Sequence, residues 1–225
     1  MIVFLQAPMG PGSSLFDMLT AAMPAADIAW VGRSIRLAEL REGLPGRSPK
    51  IVGGPFGLAA ADGLKGVRLF MTVLSDPVAR TVHIWENAAR TPDHPFHEVP
   101  HTLTLREAIE EDHPFRHMLC NGLTRTLTPA NKPPSAGHAM EALRTMPFLI
   151  GHPSHPRVFA DALGKQLGLA RGTIDPRAFR LGRLPRIAPD VRKVVSEANG
   201  QDMSLLHAIA ELQGEAKMLR TGVAA

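Results

Sequence analysis

The sequence predicts an α/β fold, a mostly parallel sheet flanked by helices with a helical C-terminal part. Three observations point there. Short runs rich in Val, Ile and Phe recur between longer stretches of helical periodicity, the pattern of βαβ units whose strands are covered on both faces. With 44% hydrophobic and 20% charged residues, the 225-residue chain has apolar material for a sizeable core, expected as a single domain over 1–225. The helical patterns crowd into the second half.

Strands are expected at residues 2–5, 28–31, 50–52, 67–73 and 148–150, four of them followed closely by glycine, proline or both. Helices are expected at 14–23, 77–89, 105–111, 115–127, 137–146, 156–169, 189–199 and 204–219. The second is the best signalled, because Asp76 is a good N-cap and Pro77 suits the first helical position. Pro, Gly and Arg are dense at 91–101, 128–135 and 170–189, which read as surface connections. On the last helix, Leu205, Ile209, Leu212 and Leu219 form a stripe for core packing or for a homodimer.

Composition narrows the partners. Lys and Arg total 25 against 21 Asp and Glu, with ten His, which suits an anionic small molecule and is too thinly spread for a duplex-binding surface. There is no Tyr, so a base-stacking platform is not expected either, and no nucleic-acid partner follows. One cysteine, Cys120, excludes an internal disulfide and a Cys-rich zinc site, and among Met118, Leu119 and Leu123 it reads as a small core residue. The apolar start at 1–5 lacks a basic flank, and no window approaches the ~18 apolar residues of a membrane span, so a cytoplasmic protein is expected.

Two segments carry anion chemistry. Residues 6–15 read Gln-Ala-Pro-Met-Gly-Pro-Gly-Ser-Ser-Leu, a strand–glycine loop–helix unit in which the amides of Gly10, Gly12, Ser13 and Ser14 can face a phosphate or sulfate. The Lys-[Ser/Thr] ending of a nucleotide-hydrolysing loop is absent, and a tight turn capped by Ser13 or Ser14 is the plainer alternative. Residues 67–83 carry a buried strand into the capped helix and present Ser75, Arg80 and His83. His94, His97 and His101 are spaced as zinc ligands could be, but prolines interrupt any shared face, so no metal site is expected and the stretch reads as a loop bordering a cleft.

Taken in order, these motifs resemble the carbohydrate-type sulfotransferases. Pro8 to Leu15 resembles that family's phosphosulfate loop, Gly54-Pro55-Phe56-Gly57-Leu58 its middle motif, and Leu74 to Arg80 its 3′-phosphate segment. Asn121 to Leu127 is similar to its N-x-x-T-R-x-L helix, Phe148 to Gly151 to its late strand, and Asn199 to Leu206 to its N-x-x-D-x-x-L segment. The resemblance implies a P-loop-like sulfotransferase fold. It also implies 3′-phosphoadenosine 5′-phosphosulfate (PAPS) as donor, and sulfonate transfer to a hydroxyl of a carbohydrate or small metabolite. Gly10, Gly12, Ser13, Ser14, Ser75, Arg80 and His83 would hold the donor, His83 would serve as the catalytic candidate, and Pro55, Phe56, His97 and Arg125 would line the acceptor cleft. For Arg80 and Arg125 a structural ion pair is the favoured reading over a ligand contact.

The chain departs from that pattern where charge matters. Met9 stands at the loop lysine, Ser75 at the phosphate-binding arginine, His83 at its partner serine, and Gly53-Gly54 and Ala59 where histidines are common. A thioether neither carries charge nor donates a hydrogen bond. The alternative is therefore a non-catalytic relative that binds a nucleotide, another anion or a protein. Convergence of Lys50, Arg33 or Lys132 on the cleft would favour the enzyme, and a neutral cleft the binding protein.

Overall fold

The computed structural model describes residues 1–8, 12–44, 46, 48–111, 113–152, 155–179 and 187–220, the side chains of 12, 13 and 213–220 excepted. Five strands, β1 (Ile2–Leu5), β2 (Ile28–Trp30), β3 (Ile51–Gly54), β4 (Leu69–Val73) and β5 (Phe148–Gly151), form one sheet in the order β2-β3-β1-β4-β5. Every neighbouring pair is parallel, as the buried Val/Ile/Phe runs predicted. Val3 sits opposite Val52 on one side and Phe70 on the other, and Phe70 opposite Phe148.

Because successive side chains alternate across a strand, the sheet has two apolar faces. Val3, Leu5, Val52 and Phe70 pack towards α2 (Leu37–Glu42), α3 (Leu58–Ala61), α8 (Gly122–Leu127), α9 (Ala136–Thr145) and α12 (Gly200–Arg220). Ile2, Phe4, Ile51 and Met71 pack towards α1 (Gly12–Ala22) and α10 (Pro156–Leu167). Trp30 lies between Phe4 and Phe16, with ring centroids at 5.6 and 5.5 Å. Gly53 is what admits it, since a Cβ there would stand 2.5 Å from the indole. A third apolar cluster joins α4 (Pro77–Arg90), α6 (Leu105–Glu110), α7 (Arg116–Leu119) and α11 (Pro189–Ala198) into the helical part beyond the sheet; α5 (Val99–Thr102) lies in the connection between α4 and α6.

Three short helices, α2, α3 and α5, occur where no helix was expected, and the expected helix over 115–127 is broken in two. The break is at Asn121, whose φ of 49° is left-handed. Its side chain is engaged elsewhere: Oδ1 accepts from the amides of Gln201 and Asp202 at the start of α12, and Nδ2 donates to the Ala198 carbonyl. Leu205 and Ile209 of the α12 stripe are fully buried within the chain's own core.

Candidate functional site

In a parallel sheet, ligands bind beyond the carboxyl ends of the strands, where the winding changes direction. Here the chain leaves β1 to cross β3 and form β2, then returns through β3 and crosses β1 to β4, so the reversal lies around the end of β1. A cavity of about 410 Å³ opens there, within the range of small-ligand sites. Gln6 and Pro8 after β1, Pro55 to Gly57 after β3, Ile84 and Asn87 on α4, and His94, Met118 and Thr126 line it. The expected cleft residues Pro55 and Phe56 are thus in the cavity wall, whereas His97 and Arg125 are not. His97 Nδ1 lies 3.0 Å from the Ala88 carbonyl, with the ring against His101. Arg125 is half-buried and donates to the carbonyl of His117.

Among the described residues, neither lysine nor arginine lines this cavity. Lys50 is paired with Asp27 at 2.8 Å, Arg33 with Asp17 at 3.7 Å, and Lys132 with Glu141 at 3.6 Å. Among the described residues, its one titratable lining residue is His94, on the loop after α4. Burial, aided by the neighbouring His97, holds that imidazole below its usual 6.5, so it is neutral at pH 7. Its Nδ1 accepts from the Phe96 amide at 3.1 Å, which places the remaining proton on Nε2 as a donor. Sequence reasoning placed this loop beside the cleft but chose His97, rather than His94, as the residue lining it.

The segment from β4 into α4 is built as its sequence foretold: Asp76 Oδ1 accepts from the Ala79 amide at 2.7 Å, and Pro77 opens the helix. Ser75 is buried, and its Oγ has no protein hydrogen-bond partner; His83 is half-buried, and its Nε2 has none either. Buried polar atoms are nearly always hydrogen-bonded; these two share their lack of a partner with Arg80 Nε and Nη1 in the same segment and with Thr124 Oγ1 on α8. Gly12 and Ser13 open α1 and Ser14 is exposed in its first turn, while Met9 and Gly10 lie outside the described residues.

Arg80 is placed differently. Its side chain is wholly buried, and Nη2 donates to Asp202 Oδ2 at 3.0 Å, to Asn199 Oδ1 at 2.8 Å and, longer, to the Leu119 carbonyl at 3.4 Å. Asp202 also accepts from the amides of Leu123 and Thr124 at the start of α8, at 3.1 and 2.7 Å. Asn199 accepts from the Asn121 amide and donates to Thr81 Oγ1, which itself donates to the Leu119 carbonyl. So Asp202 of α12 caps α8 while Asn121, preceding α8, caps α12. Desolvation lowers the Arg80 pKa, and Asp202 opposes it. Nε and Nη1 have no partner, and Nη1 packs where a Cβ on Gly122 would stand 2.2 Å away.

No protein-family model matches the chain, and no curated protein matches it. Among solved structures it is similar to mouse sulfotransferase SULT7A1 complexed with PAP, at 12% identity and a TM-score of 0.47. That match covers 90% of this chain and 65% of the other, so the chain spans a little under two-thirds of that protein's length. At this identity and TM-score the likeness does not by itself assign a family, and the site is read from its own residues.

Among the described residues, no group of three His, Cys, Asp or Glu side chains is arranged to hold a metal ion. Cys120 is buried, and desolvation pushes its thiol above the usual range, which keeps it from acting as a nucleophile at neutral pH. No helix among the described residues is long and apolar enough to cross a membrane.

Proposed function

We propose that the chain is a sulfotransferase-like protein that binds PAPS or its bisphosphate product at the carboxyl edge of the sheet and presents a hydroxyl-bearing acceptor in the adjoining cavity. The observation supporting this is that Ser75 Oγ, in the segment that resembles the family's 3′-phosphate site, and His83 Nε2, one turn beyond it, are buried polar atoms without a protein partner. Both suit phosphate oxygens: the Ser75 hydroxyl donates, and His83 donates when Nε2 carries its proton. Arg80 fits less well, because Asp202 already holds its one partnered nitrogen. PAPS, when bound, supplies the sulfonate. The chain's own residues bind and orient: α1 brings its N-terminus to the strand ends, Pro55, Phe56 and Met118 wall the cavity against water, and His94 Nε2 offers a neutral donor to a ligand oxygen. The carbohydrate-type subclass rests on the order of the motifs.

A second reading, binding without turnover, is supported by the neutral cavity. Sulfonate transfer develops negative charge on the leaving oxygen and needs a base for the acceptor proton. Among the described residues, the lining offers neither a lysine or arginine nor a carboxylate, and the His94 Nδ1 lone pair is already engaged. Titrating the protein with 3′,5′-adenosine bisphosphate by calorimetry tests the shared claim. Binding that is lost in Ser75→Ala with His83→Ala is expected, and undiminished binding in that variant, or none in the wild type, overturns it. Labelled-sulfonate transfer to a panel of hydroxyl acceptors then separates the two readings; loss of both expected contributions makes turnover slower by a factor of about 10² or more.

A further inference from the structure

Cationic side chains, which the carboxyl-edge cavity lacks among the described residues, line a second cavity at the opposite end of the sheet. This cavity is larger, about 780 Å³, and lies at the amino ends of β1, β3 and β4. Among the described residues, four cations line it, Arg41, Lys50, Lys65 and Arg68, against one acid, Glu42. All four are exposed at the rim. Between them the wall is apolar: Leu40 is fully buried, and Leu44 and Leu64 are partly buried. Local structure explains some of this charge. Lys50 pairs with Asp27, and Arg68 donates from Nη1 to Gln166 Oε1 at 3.2 Å and from Nη2 to the Gln166 carbonyl. Arg41 lies in the last turn of α2, where the helix carbonyls favour a cation. Lys65 lies on no helix, and neither it nor Arg41 has an ion-pair partner among the described residues.

We propose that this amino-edge cavity is a second binding site, for a small amphipathic anion: an aromatic or acyl body carrying a sulfonate, sulfate, phosphate or carboxylate group. The apolar wall takes the body, and Arg41 and Lys65 take the charged group. Like charges around one concavity repel, and an anion seated among them relieves that repulsion while its apolar part leaves water. The concave shape and volume suit a small molecule rather than a flat protein face. The site lies at the far ends of the strands from the PAPS-type crevice and is independent of it.

The test is a fluorescence and calorimetric titration of the folded protein, at low ionic strength, with anilinonaphthalene sulfonate. Its uncharged analogue N-phenyl naphthylamine and a hexaglutamate peptide serve as the other arms. One saturable sulfonate site is expected, weakened about tenfold or more in the Arg41→Gln, Lys65→Gln double variant, with the uncharged analogue weaker than the sulfonate and unaffected by the change. Adenosine bisphosphate should not compete. Both substituted residues are exposed, so an unchanged melting temperature is expected to confirm that the fold is intact. Equal affinity for the uncharged analogue, or a variant that binds the sulfonate as wild type, would refute the site. Tighter binding of hexaglutamate than of the sulfonate would also refute it, marking instead a surface for an acidic polypeptide.

Discussion

Replacing Asp202 by alanine removes one carboxylate that does three things at once. It neutralises the buried Arg80 at 3.0 Å and accepts from the first amides of α8, those of Leu123 and Thr124. Breaking a buried ion pair from one side costs about 3–5 kcal/mol, because the surviving charge is left without compensation. Here the survivor is a guanidinium at 0% exposure, near two helix N-termini and Arg125, all of which disfavour positive charge. The expected loss is at the upper end of that range, about 4–5 kcal/mol, which for a chain of this size lowers Tm by roughly 10–15 °C. Arg80→Met leaves Asp202 still bonded to two amides at a helix start, and should cost less, about 1–3 kcal/mol. Adding Arg80→Met to Asp202→Ala should recover stability, since it removes the stranded charge. Urea unfolding followed by circular dichroism measures all three, with Asp202→Asn as a milder variant that keeps an acceptor. An Asp202→Ala cost below about 1 kcal/mol, or a double variant less stable than Asp202→Ala alone, would refute the reasoning.

Alanine at a helical glycine normally gains up to about 1 kcal/mol, yet Gly122→Ala should lose about 1–3 kcal/mol, because its Cβ would meet Arg80 Nη1 at 2.2 Å; a thermal melt gives the sign. Gly57→Ala should distort the cavity wall, as its Cβ would stand 2.8 Å from the backbone oxygen of Thr126, and bisphosphate affinity read by calorimetry should fall. His94 and His152 are both held below 6.5 chiefly by burial, so in the interval just below 6.5 the unfolded chain binds more protons. Stability should therefore fall as the pH drops from about 7 to about 5.5, and His94→Gln should flatten part of that slope in urea midpoints. Cys120 should react with a thiol reagent only as fast as the chain opens, and at the free-thiol rate in denaturant.

The strands were legible in the sequence because a strand buried on both faces must be continuously apolar, and runs such as Ile2–Leu5 have no other plausible home. The start of α4 was legible for an equally local reason, since Asp76 and Pro77 satisfy the helix end within four residues. The 115–127 segment was not, because its helical periodicity runs through Asn121, and what breaks it is a bond to amides about 80 residues further on. Arg80 was ambiguous between ligand and ion pair on the same grounds. Its partners, Asn199 and Asp202, belong to a motif that sequence reasoning had read separately.

The sequence by itself thus determined the alternation of strands and helices, the parallel sheet and the glycine-rich and capped segments at the strand ends, all set by burial and capping over a few neighbouring residues. Only the tertiary structure decided where the charge goes. It joins the motifs around Arg80, Asn121 and Asn199 to Asp202 in one buried network, leaves Ser75 before α4 and His83 within it with unpartnered atoms, brings His94 to the cavity, and sends Arg41, Lys50, Lys65 and Arg68 to the opposite end of the sheet. Electrostatic pairing depends on distance in space rather than along the chain, and those distances exist only once the crossovers around β1 have brought the strand ends and helices together.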